Sequence, residues 1–172
     1  MKHPTVLPLA TVTLRTLLVL NWVCGALIVL LLSISFLAEE WTWRALGVGS
    51  VAGHEGIVAG MRSIMVVGIV SVPIAFIVFG QLLRIVKSVT AGEPFSIENA
   101  GRLKLIAWAL LALEVLHVSV VAIAAAVSTK EIPLNFSGNF DLTSWLAILL
   151  LFVLAKVFLA GARMQDDLEG TV

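Results

Sequence analysis

The sequence predicts an all-α membrane protein, a bundle of four transmembrane helices with both termini inside the cytoplasm and short outer loops. Three observations predict it. Hydrophobic residues make up 60% of the chain and charged ones only 13%, with a mean hydropathy of +1.08, far outside the balance of soluble domains. Four apolar runs, at about 16–37, 63–83, 105–127 and 142–162, are each long enough to cross a hydrocarbon core at about 1.5 Å of rise per residue. Basic residues are also unevenly placed. Lys2, Arg15, Arg84, Lys87, Arg102, Lys104, Lys156 and Arg163 fall on the side of the termini and the central turn, against Arg44, Arg62 and Lys130 on the other. The positive-inside rule then puts the termini and central turn in the cytoplasm, and setting Lys156 aside as part-buried does not change the sign. The chain reads as one polytopic domain over 1–172, with the lipid bilayer as its first partner.

The first run carries no charge. It is too long for a signal-peptide core, and 36–39 is a poor cleavage site, so it is expected to stay in the mature protein as a span. Its single cysteine, Cys24, rules out an intrachain disulfide and reads as a small core residue. After it, 39–62 reads as a loop: Trp41 and Trp43 suit the membrane boundary, and Gly47, Gly49, Gly53, Gly56 and Gly60 follow. Gly56 and Gly60 form a GxxxG, weighed as a packing motif against a plain flexible connection. His54 and Glu55 are half a metal site at most and read as solvated.

The second span continues as a helix through Arg84, Lys87 and Thr90, about two turns beyond the bilayer. Pro73 inside it predicts a packing kink, with a gating hinge as the alternative. Ser71 or a neighbouring helix is expected to satisfy the carbonyl that proline frees. The next stretch, 86–105, is the longest polar passage and reads as a helix stop followed at once by a helix start. Gly92 suits the left-handed position after a helix, and Ser96 suits the cap of the next. Glu98 lies near the new helix's positive end, and Phe95 with Ala100 suits a small hydrophobic staple. The outer loop 128–141 suggests a turn at 137–139 between two short extended pieces, with a weak glycosylation match at 135–137 that is discounted.

Ionisable groups at membrane depth are candidates by default, because an unpaired charge there costs several kcal/mol. Glu114 and His117 are three apart on the third span and share a face; Lys156 lies in the fourth at a height similar to Glu114. An interhelical Glu114–Lys156 pair is the structural reading, or Lys156 snorkelling to the interface. A proton or cation relay through Glu114 and His117 is the functional one, and two such ligands do not make a metal site. Asn21 on the first span lies at comparable depth and either joins this layer or bonds to a neighbouring helix.

Eleven Lys plus Arg balance eleven Asp plus Glu, so no net charge steers the chain toward nucleic acid. Phosphate loops, H-E-x-x-H, G-x-S-x-G and CxxC are absent, as is any stretch outside the spans long enough for a catalytic domain, so neither enzyme nor cofactor is expected.

Gly92-Glu93-Pro94-Phe95-Ser96 with Asn99, Ala100, Arg102 and Leu103 resembles the central motif of a bacterial family of small four-span membrane proteins, numbered 2975 among domains of unknown function. The ending, Ala155-Lys156-Val157-Phe158, Gly161-Ala162-Arg163-Met164 and Glu169-Gly170-Thr171-Val172, resembles it too. The resemblance implies a multi-pass protein of the bacterial cytoplasmic membrane with no established enzymatic activity. Members often lie beside genes for small Cro-type helix-turn-helix regulators, which implies a regulatory pairing and assigns no residue a role. The expected function is therefore a regulatory or interaction protein. It would present the central turn and the acidic tail 165–169 to a cytoplasmic partner such as a helix-turn-helix regulator. The alternative is an oligomeric proton- or cation-coupled transporter or channel using Glu114 and His117, which would need a homo-oligomer to enclose a polar path.

Overall fold

A helix in hydrocarbon satisfies its own backbone polar groups, and all four apolar runs take that form. The computed structural model describes residues 6–47, 54–129 and 142–169, with Val6 and 165–169 by backbone only. These form five helices and no strand: α1 (Val6–Leu37), α2 (Glu39–Ala45), α3 (Glu55–Thr90), α4 (Ile97–Val127) and α5 (Leu142–Glu169). Four of them, α1, α3, α4 and α5, are long and apolar enough to span a membrane. At 36 residues, α3 is about 54 Å long against a hydrocarbon core of about 30 Å, so it extends beyond the core.

Lipid acts as solvent for most of this surface. Leu9, Val19 and Leu27 on α1 and Leu149, Leu150 and Val157 on α5 are all more than half exposed, a density of outward apolar side chains that water does not tolerate. Hydroxyls inside the long helices satisfy themselves locally: Thr11, Thr16, Ser33, Ser63, Thr90 and Ser119 each donate to the carbonyl four residues earlier. Ser71 donates to the Gly68 carbonyl at 2.7 Å, and α3 runs unbroken through Pro73.

Packing divides the described residues into two compact units. The first takes those of 1–21, 74–113 and 141–172. Its core joins Val78, Ile106 and Ala109 to Ile74, Leu82, Ile85, Leu110, Leu113 and Leu151, so α3, α4 and α5 share one apolar seam. Buried alanines at 100, 107, 155 and 162 let backbones approach, and Trp108 meets Phe152 edge to face at 5.3 Å.

The second unit takes those of 22–73 and 114–140, and here the reading of 39–62 as a loop is overturned. Residues 39–45 and 55–62 are helical. Glu39 and Glu40 occupy the positive first turn of α2, Arg44 pairs with Glu40 one turn on, and Gly47 ends it at φ +83°. Trp41 is exposed as a boundary residue would be, but Trp43 is fully buried against Ile57 and Val58 and anchors α2 to α3. Glycine signalled loop where it permits contact. A Cβ on Gly60 would come within 2.5 Å of the Val127 side chain on α4, whereas one on Gly56 would meet nothing within 4 Å. Cys24, expected in the core, is exposed on α1. α1 also starts well before 16, and α5 continues past 162. The turn at 137–139 and the acceptor pattern at 135–137 lie outside the described residues.

Candidate functional site

The central turn is built from three consecutive local devices. α3 ends in a Schellman motif: the Gly92 N–H donates to the Val89 carbonyl at 3.2 Å and the Glu93 N–H to the Ser88 carbonyl at 3.1 Å. This requires a left-handed residue, and Gly92 supplies it at φ +90°. Pro94 follows, where no helix can continue. Ser96 then caps α4, its hydroxyl accepting from the Asn99 N–H at 3.2 Å.

The side chain of Asn99 closes the turn. It is fully buried, and its amide donates to the Ser88 hydroxyl and to the carbonyls of Pro94, at 3.0 Å, and Glu93, at 3.3 Å. Its carbonyl accepts from Arg102 at 2.8 Å, and Arg102 also holds Glu98 at 2.7 Å. The Ser88 hydroxyl in turn donates a hydrogen bond to the Glu93 carbonyl at 3.2 Å. A buried polar group that satisfied fixes one conformation and resists others, because each broken bond strands a buried donor or acceptor. Phe95 leaves this network and stacks on Phe158 of α5 at 5.2 Å, close to Gly161. A cleft of about 690 Å³ opens beside the turn, lined by Arg84, Lys87, Glu93, Phe95, Glu98 and Arg102 among others. Glu93, Phe95, Ile97 and Glu98 remain exposed.

Of the other sequence candidates, Asn21 and Lys156 belong to the first unit and Glu114 and His117 to the second. Glu114 is half-buried and His117 exposed, and among the described residues no hydrogen bond joins them. Asn21 is half-buried and Lys156 exposed on α5. Glu114 and Lys156 fall in different units, and within its own unit neither makes an ion pair among the described residues. No group of three or more His, Cys, Asp or Glu able to hold a metal occurs among the described residues.

A second polar centre, in the other unit, was not read from the sequence, where Arg62 counted only as a loop charge. Arg62 on α3 donates to the Ser35 carbonyl and, at 2.8 Å, to Glu39. Its guanidinium lies 4.1 Å from the Phe36 ring centroid and 5.7 Å from that of Trp43. Ser35 is fully buried and accepts again at 3.4 Å through its hydroxyl. This cluster ties the end of α1 and the start of α2 to α3.

A family model described as a protein of unknown function, DUF2975, matches residues 17–172. The chain belongs to the DUF2975 family. The turn lock and all four long helices fall inside the matched DUF2975 region, apart from the first residues of α1. No curated protein and no solved structure matches it.

Proposed function

We propose that this DUF2975 chain is a regulatory interaction protein of the bacterial cytoplasmic membrane. It presents its α3–α4 turn and the tail 165–169 to a basic cytoplasmic partner of the helix-turn-helix class. The observation that carries this reading is the fully buried Asn99, which spends a complete set of hydrogen bonds on the shape of a turn that lines no reactive constellation. A preformed turn loses little entropy on docking, and it displays Phe95, Ile97, Glu93 and Glu98 beyond the end of a membrane helix. The sequence of the tail adds Asp166, Asp167 and Glu169, a patch whose charge favours a basic surface. Affinity purification from native membranes tests the proposal, comparing the intact chain with one ending at Met164. A helix-turn-helix protein is expected with the intact chain and lost with the shortened one.

A second reading, an oligomeric proton- or cation-coupled transporter, is favoured by Glu114. It is half-buried within a membrane-capable helix and makes no ion pair among the described residues. No cytoplasmic partner, together with a flux through the purified protein that Glu114→Gln abolishes, would overturn the first reading in favour of this one.

A further inference from the structure

Lys104 and Lys156 present a charge problem inside the first unit. Both are exposed, on α4 and α5, and both line one groove of about 360 Å³ whose floor is Ala100, Gly101, Phe152, Ala155 and Leu159. Among the described residues no acid lines this groove. Neither helix supplies one at the neighbouring positions: Ala100, Gly101, Ala107 and Trp108 surround Lys104, and Phe152, Val153, Leu159 and Ala160 surround Lys156. Among the described residues neither lysine makes an ion pair. Lys156 lies within the membrane-capable part of α5, Leu142–Met164. Two ammonium groups thus line one apolar-floored groove with no counter-charge among the described residues, an arrangement complementary to an anion that carries a hydrocarbon tail.

We propose that this groove binds an anionic phospholipid, its phosphate paired with the ammonium groups of Lys104 and Lys156 and an acyl chain laid along the apolar floor. The charge selects an anion, and the floor selects one with a hydrocarbon tail over a free phosphate. Basic pockets between membrane helices are a recurrent solution for such headgroups. Gly101 keeps the floor open, since a Cβ there would meet nothing within 4 Å.

The test titrates the full-length protein in detergent with phosphatidylglycerol or phosphatidylcholine and follows lipid adducts by native mass spectrometry. One saturable phosphatidylglycerol adduct is expected, with at least tenfold preference over phosphatidylcholine. Lys104→Gln with Lys156→Gln should abolish the preference, and the corresponding Arg pair should keep it. Gly101→Leu leaves both lysines in place and adds a better helix former, yet fills the groove; it should also remove the adduct. Undiminished preference in the Gln pair, or in Gly101→Leu, would overturn the site. Displacement of the lipid by inorganic phosphate alone would overturn its assignment to a lipid.

Discussion

The carboxamide of Asn99 donates a hydrogen bond to the hydroxyl of Ser88, |i−j| = 11, across the turn that joins α3 to α4. That bond makes the two helix ends one object. Ser88 belongs to the last turn of α3 and Asn99 to the first turn of α4, and Arg102 and Glu98 extend the chain of bonds outward.

Removing the carboxamide should therefore cost more than one hydrogen bond. Asn99→Ala strands the Pro94 carbonyl and frees Arg102, and is expected to destabilise by about 1–3 kcal/mol in detergent unfolding. Ser88→Ala should cost about 1 kcal/mol. Gly92→Ala should cost about 1–2 kcal/mol through its left-handed backbone alone. An Asn99→Ala protein as stable as the parent would show that the lock does not hold the turn.

The two glycines of the GxxxG are expected to respond oppositely. Gly60→Ala drives a methyl into Val127 and should cost about 1–3 kcal/mol, partly recovered by Val127→Ala in the same chain. Gly56→Ala enters open space and should stabilise by up to about 1 kcal/mol. Equal effects at both positions would argue against close packing at Gly60.

At the second polar centre, Arg62→Ala should destabilise by about 1–3 kcal/mol, since it removes donors from the buried Ser35 carbonyl and the stacking on Phe36. Arg62→Lys should not restore this, because an ammonium lacks the planar fork. Glu39→Gln should cost less than about 1 kcal/mol, its side chain being partly exposed to solvent. A larger loss from Glu39→Gln than from Arg62→Ala would reverse this assignment.

What the sequence made legible was local, and what it hid was remote. The Gly92 stop and the Ser96 start depend on residues within one turn of each other, so their chemistry shows in the string. The Asn99–Ser88 bond and the Phe95–Phe158 stack depend on where two helices lie after packing. The stretch 39–62 misled because glycine serves both loops and close helix contacts, and only the position of Val127 decides between them. Arg62 was hidden for a similar reason: a charge near a span end looks solvated until Ser35, Glu39 and Phe36 are brought round it. Glu114, His117 and Lys156 stood out by depth, but depth says nothing about which face of a helix each residue takes.

Topology is independently testable. A reporter active only in the cytoplasm should give signal when fused after Val172 or within 91–93, and none when fused after Gly49 or Gly138. Signal from the latter pair would invert the orientation and remove the turn from the cytoplasm.

The central claim is that the α3–α4 turn is a preformed docking surface, and photocrosslinking in native membranes tests it most directly. A photoreactive residue at Glu93, beside the exposed Phe95 and outside the proposed lipid groove, should capture a soluble cytoplasmic protein. The capture should fall several-fold when Asn99→Ala loosens the turn beneath it. Crosslinks from this position to lipid alone, or a yield of captured protein unchanged by Asn99→Ala, would contradict the account.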